Sequence, residues 1–197
     1  MIRQKFNHPS IIIWTYMNEE LLIVSRDRDS TKRENFIKGV TKLAQALEDL
    51  TRKEDAYRYT MIPNHNSWDI YNKAGLTKIP KLVGWNLYFG WYYDQFEDFG
   101  KFLDRHHKEL PDKPVLVTEF GADADSRLHS FNPVRFDKTV EYSLEYHKAS
   151  LKTIMERPFV PGATIGNLAD FPAESREKSP PPLHENGILP QNRKGKN

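Results

Sequence analysis

Short apolar runs that alternate with longer segments of helical period predict an α/β fold built on a parallel sheet. Two of those runs end in a glutamate: IIIWTYMNE at residues 11–19 and PVLVTE at 114–119. A carboxylate just past a buried strand is costly to desolvate, so Glu19 and Glu119 in matching positions mark a site rather than a core.

Five runs read as strands: 11–16 (IIIWTY), 58–62 (RYTMI), 82–86 (LVGWN), 114–118 (PVLVT) and 160–166 (VPGATIG). Pro161 and the two glycines weaken the fifth. Between the first two, Phe36, Val40, Leu43, Ala44, Leu47 and Leu50 recur at helical spacing and read as a sheet-facing stripe. Phe96, Phe99, Phe102, Leu103 and Leu110 form a second stripe of the same kind. The longest helix is predicted from about Pro133 to Glu156, with Asn132 as its cap, Pro133 in its first turn and Pro158 as its stop. Residues 67–75 allow a short helix closed by Gly75. From Leu168 onward, prolines and mixed charges read as an irregular tail, so the expected division is 1–167 for the α/β body and 168–197 for that tail. No internal repeat is present.

Composition narrows the function. The 29 Lys and Arg nearly cancel the 27 Asp and Glu, leaving a formal charge of +2, so no strong field argues for nucleic acid or an anionic membrane. Cysteine is absent, which excludes disulfides, thiolate catalysis and thiolate metal sites. No run approaches the ~20 apolar residues of a membrane span. The N-terminal segment MIRQKFNHPSIII does not read as a signal peptide, because its apolar run is short and ends in Asn18 and Glu19. Hydrophobic residues make up only 38%, while aromatics reach 12%, which predicts a thin core for the length.

In parallel α/β folds, ligands sit at the carboxyl ends of the strands. The polar residues there are Asn18 and Glu19, then Asn64, His65 and Asn66, then Asn86 and Tyr88, then Glu119, and finally Asn167 and Asp170. Trp14, Trp68, Trp85 and Trp91 lie among them. Amides and carboxylates bond hydroxyl groups and aromatic faces stack on sugar C–H surfaces, so the mixture suits a carbohydrate. No Gly-rich phosphate loop or nucleophile elbow competes.

The segment FNHPSIIIWTYMNE at 6–19 resembles the acid/base signature of glycoside hydrolase family 2, whose members include β-galactosidases, β-glucuronidases and β-mannosidases. VGWNLYFGWY at 83–92 and PVLVTEFGAD at 114–123 resemble its sixth-strand and nucleophile regions, and RLHSF and NLADF the segments that follow. The resemblance implies part of a (β/α)8 TIM barrel, approximately strands 4 to 8 with their helices; 197 residues fall short of the ~250 of a complete barrel. By the same resemblance, strands 1 to 3 and the preceding β-sandwich domains belong to a longer form.

Carried over residue by residue, Glu19 matches the general acid/base, Glu119 the nucleophile, and Asn18 the residue that bonds the sugar 2-hydroxyl. A retaining mechanism holds such carboxyls about 5–5.5 Å apart. His65, Trp85, Asn86, Tyr88 and Asn167 complete the expected substrate-binding set. Two readings stand for Asn86 and Tyr88, sugar contact or packing, and two for His65, ligand or hydrated loop residue. Glu20 reads as a solvated helix-start residue, and the pair His106 and His107 as surface.

Two departures bear on the substrate. The family usually has a Trp before the Asn-Leu-Ala-Asp-Phe segment, where this chain has Gly166. Glucuronidases carry an Asn-x-Lys pair in the distal tail, whereas the roughly equivalent stretch here is His184-Glu185-Asn186. A missing cation favours a neutral sugar, which makes a β-D-galactoside the first expectation and a β-glucuronide or β-mannoside the alternative. The other function in play is an inactive fragment with at most weak glycan binding. No cofactor or metal is expected. The compartment is open, cytoplasmic or periplasmic in a bacterium by resemblance, and so is a homo-oligomer.

Overall fold

The computed structural model of the chain describes residues 1–24, 29–172, 183–184 and 187–189. Its elements follow in order as α1 (Ile2–Lys5), β1 (Ile13–Thr15), α2 (Ser30–Glu54), β2 (Tyr59–His65), α3 (Trp68–Lys73), β3 (Leu82–Asn86), α4 (Phe96–Glu109), β4 (Val115–Phe120), α5 (Val140–Met155), β5 (Ala163–Ile165), β6 (Phe171–Pro172) and β7 (Leu183–His184). Five strands hydrogen-bond in chain order, β1-β2-β3-β4-β5. β1 pairs parallel with β2, β2 with β3, and β4 with β5, while helices occupy the connections. This is the α/β architecture of part of a (β/α)8 barrel. The chain divides into two compact units, Met1–Asn86 with His107–Leu116, and Leu87–His106 with Val117–Asn197.

In the first unit, β3 is buried along its whole length. Trp85 is fully enclosed, stacked on Trp68 at 5.6 Å and edge-on to Tyr71 at 6.1 Å. Asn64, equally buried, donates from Nδ2 to the carbonyls of Ile62 and Gly84, pinning β2 to β3. α2 begins at Asp29, whose carboxylate accepts the N–H groups of Thr31 and Lys32.

The buried face of α2 differs from the stripe expected of it. Val40, Ala44, Glu48 and Thr51 are buried, whereas Phe36, Leu43 and Leu50 are exposed. The reason is polar. Glu48 collects the hydroxyls of Tyr16 and Thr60 and the Nε of Arg52, and this network occupies the buried side of the helix, where the apolar spacing alone shows no polar group. A second network lies nearby. Asp55 accepts from Trp14 Nε1, Arg58 Nη1 and two backbone N–H groups. Burial pushes the Asp55 carboxyl up, but these donors outweigh it and hold it well below the usual carboxylate range. Arg58 in turn donates to the carbonyls of Phe6, His8 and Ile11, tying the N-terminal segment to the start of β2.

In the second unit, α4 buries Phe99, Phe102, Leu103 and His106 on one face. His106 therefore is not the surface residue expected of it: standing four residues after Phe102, it falls on the buried face, while His107 is exposed. α5 starts seven residues later than Pro133 suggested. Phe136 and Lys138 adopt left-handed backbone angles that no helix can pass through. The N-cap is Thr139, whose hydroxyl accepts the Tyr142 N–H while Asp137 accepts from Thr139 itself. The region expected to be irregular contains a short antiparallel pair, β6 with β7, and a bridge between Ala169 and Leu189.

Replacing Thr139 by Ala leaves the Tyr142 N–H without its cap and is expected to cost about 1 kcal/mol, read as a lowered urea midpoint with an unchanged slope.

Candidate functional site

The first cluster lies in the first unit, at the end of β1. Beyond Thr15 the chain leaves the extended conformation abruptly, with Met17 at φ 111° and Glu19 at φ 55°. Left-handed angles at non-glycine residues cost on the order of 1–3 kcal/mol each and gather at functional sites. Here they turn the Glu19 N–H back onto the Pro63 carbonyl at 3.1 Å and let the Glu19 carbonyl accept from Leu22. Asn86, the fully buried last residue of β3, donates from Nδ2 to Asn18 Oδ1 at 3.1 Å and Glu19 Oε1 at 3.0 Å. Burial raises the half-buried Glu19 carboxyl above its ordinary value, with the Asn86 donor opposing.

Glu20 is not the solvated helix-start residue expected, because no helix begins there and its side chain is half-buried. Burial raises its carboxyl too; its own N–H and that of Asn18 oppose this, and the charge of Glu19 adds to it. Among the described residues, no donor reaches its Oε2. His65 packs edge-on against Tyr71 at 5.0 Å, and its Nδ1 accepts the Ser67 N–H, which leaves the ring proton on Nε2. Burial lowers its pKa and favours this neutral form, with the Leu21 backbone and Asn66 side chain opposing. Tyr71 Oη accepts the Leu21 N–H at 3.3 Å and so braces the turn that follows Glu19.

The second cluster lies in the second unit, around Glu119 on β4. The Leu87 N–H donates to the Glu119 carbonyl at 2.8 Å, and the Tyr88 hydroxyl donates to Glu119 Oε2 at 2.8 Å. Burial, then the Glu119 charge and this hydrogen bond, hold the Tyr88 phenol protonated far above the usual range. The Tyr92 ring lies 5.0 Å from that of Tyr88 and is exposed. Gly166 follows β5 and donates its N–H to the Phe120 carbonyl. A Cβ at Gly166 would sit 3.4 Å from Tyr88 Oη and 3.7 Å from Glu119 Cβ, so this position borders both. Its peptide bond to Asn167 is cis.

The structure thus gathers Asn18, Glu19 and Asn86 in one cluster, and Tyr88, Glu119 and Gly166, with Asn167 next in the chain, in the other. His65 stands behind Tyr71 in the first unit. Trp85 joins neither, since its ring belongs to the core. Glu20, Tyr71 and Tyr92 lie outside the expected set; of these, Tyr92 has a sequence signal, its place in the aromatic block that also holds Tyr88. Among the described residues, no group of three or more His, Asp or Glu gathers to hold a metal ion. Glu185 and Asn186, on which the expectation of a neutral sugar partly rested, lie outside the described residues.

Five parallel strands in chain order with helices between them form the scaffold of a TIM-barrel domain, and the chain belongs to glycosyl hydrolases family 2, whose TIM barrel domain model it matches over residues 1–197. Among individual proteins, it is similar to a β-glucuronidase of Bacteroides fragilis, 29% identical over 201 residues, covering 98% of this chain and 26% of that protein. Two solved structures are also similar. One is a Bacteroides uniformis β-glucuronidase (39% identity, TM-score 0.95, 99% of this chain and 23% of the other). The second is Bacteroides uniformis β-glucuronidase 2 covalently bound to cyclophellitol-6-carboxylate aziridine (38%, TM-score 0.94, 98% and 23%). The chain spans about a quarter of the length of these relatives.

A carboxyl whose native pKa is raised contributes stability that is present below its unfolded value and lost as pH rises through the native one. For Glu20, replacement by Gln removes the cost of ionising a buried group. Glu20→Gln should melt a few degrees above the wild type at neutral pH, and the gap should close as pH falls below the ordinary Glu value. Scanning fluorimetry across that range reads it, and a gap that widens toward acid contradicts the assignment.

Proposed function

We propose that this chain carries the acid/base and the nucleophile of a retaining β-glycosidase, and that its sugar is a β-D-glucuronide. Glu119 attacks the anomeric carbon while protonated Glu19 gives its proton to the leaving oxygen, which breaks the glycosidic bond and forms a glycosyl ester. Ionised Glu19 then takes a proton from water as the water oxygen attacks the same carbon, which releases the sugar with its configuration retained and frees Glu119. The Asn86 amide opposes the effect of burial on Glu19 and favours the carboxylate left after the first transfer. Asn18 bonds the 2-hydroxyl, Tyr88 orients Glu119, and Asn167 contributes a sugar contact, while the buried His65 is left to packing.

The observation that carries the glucuronide over the galactoside is the 38–39% identity, over nearly the whole chain, to β-glucuronidases. One of them is held covalently by an inhibitor with a 6-carboxylate, and this chain presents a Glu at the strand end matched to the nucleophile. A second reading, a non-catalytic fragment, is favoured by the same comparison, since the chain covers only 23% of those proteins.

Cyclophellitol aziridines of uronic and galacto configuration separate these readings. The uronic probe should add one adduct mass to the chain, mapped to Glu119, and Glu119→Gln should take none. Labelling by the galacto probe alone supports the neutral sugar, and labelling by neither supports the fragment. Where nitrophenyl glucuronide is turned over, Glu19→Gln should lose about 10²–10⁴-fold on poor leaving groups and less on nitrophenolate. Equal losses on both would remove Glu19 from the acid role.

A further inference from the structure

Tyr88 reaches Glu119 through a single hydroxyl, so what fixes Tyr88 fixes that hydrogen bond. Its backbone is held on both sides by one tight turn. The Tyr88 carbonyl accepts from the N–H groups of Trp91 at 2.9 Å and Tyr92 at 3.1 Å. The Tyr88 N–H donates to the hydroxyl oxygen of Tyr93 at 2.7 Å. The turn closes where the Gly90 N–H meets the Tyr93 carbonyl at 2.9 Å. Gly90 sits at φ 83°, where any Cβ would lie 2.5 Å from the Phe96 ring, and its carbonyl accepts the Tyr142 hydroxyl. The Tyr93 ring stands edge-on to Phe89 at 4.9 Å, which sets the position of its hydroxyl.

We propose that Tyr93 is a positioning residue for Glu119: its hydroxyl oxygen takes the Tyr88 N–H and thereby fixes the phenol that donates to Glu119 Oε2. The chain of contacts is continuous. Leu87 N–H holds the Glu119 backbone, Tyr88 Oη holds its carboxylate, and Tyr93 Oη holds the residue that carries that phenol. A phenylalanine at 93 keeps the ring contact with Phe89 and removes only the acceptor, leaving a backbone N–H unpaired so that Tyr88 shifts to find another partner. The inference rests on Glu119 as nucleophile for its catalytic consequence, but the link from Tyr93 to Tyr88 to Glu119 does not.

The test uses the chain with Tyr93→Phe, Tyr88→Phe and the double variant. In protein labelled with ¹³Cζ-tyrosine, the Tyr88 resonance, assigned by its loss in Tyr88→Phe, should move in Tyr93→Phe as its bond to Glu119 changes. An unmoved resonance overturns the proposal whether or not the protein is active. Where the uronic aziridine labels Glu119, Tyr93→Phe should lower the maximal labelling rate about threefold to tenfold with unchanged probe affinity. The double variant should then be no slower than Tyr88→Phe. Fully additive losses, or a lowered melting temperature with an unchanged labelling rate, reduce Tyr93 to a structural role and overturn the proposal. Wild-type protein that takes no label counts against the hydrolase reading alone, and the resonance still decides the fate of Tyr93.

Discussion

A carboxylate taken partly out of water must be given donors in return, and the end of β3 is where this chain supplies them. Asn86 gives its amide to Asn18 and Glu19, and two residues later Tyr88 gives its hydroxyl to Glu119. Neither donor is useful unless its backbone is fixed, and each is fixed by a different device. In the first unit, β3 is buried along its length, Trp85 is wedged against Trp68 and Tyr71, and Asn64 ties β2 to the Gly84 carbonyl. In the second, the turn after Tyr88 satisfies that residue's N–H and carbonyl within five residues. The sequence LVGWNLYFGWYY is therefore a strand that carries its own clamp.

Much of this was legible because strand-end polar residues stand out against apolar runs. β3 falls on the expected residues, 82–86, and β1, β2 and β4 lie on or overlap theirs. Glu19, Tyr88 and Glu119 are recognisable as residues that follow such runs, and Asn86 as the polar residue that ends its own. What could not be read is where polar groups find partners across the fold. Glu48 looks like an ordinary exposed helix position among leucines, yet it is buried and bonded to three partners from elsewhere in the chain or the next helical turn. The start of α5 was misplaced for a related reason. Asn132 and Pro133 form a good local start signal, but Asp137 bonds the Val134 and Thr139 N–H groups instead and stabilises a left-handed loop that postpones the helix. Trp85 shows the reverse error: an aromatic at a strand end suggests a sugar platform, and only the positions of Trp68 and Tyr71 reveal it as core.

The cluster around Glu19 is built against stability. It holds two backbone residues at left-handed angles, two adjacent carboxyls raised by burial, and a Glu20 oxygen that no described donor reaches. At on the order of 1–3 kcal/mol for each strained residue, such a turn would relax if its flanks were free to move. They are not. On one side, β1 is anchored by Trp14 to Asp55, and the segment before it by three carbonyl contacts to Arg58. On the other, Leu21 is bonded to Tyr71, which packs against Trp85. The depressed pKa of Asp55 and the raised pKa values of Glu19 and Glu20 are complementary signs within the same unit. One carboxylate is stabilised far more than water would manage, in a network that holds the frame. Two others, Glu19 and Glu20, are stabilised less than in water, because burial outweighs the donors that reach them. That division, rather than the number of polar contacts, separates the supporting carboxylate from the candidate catalytic one.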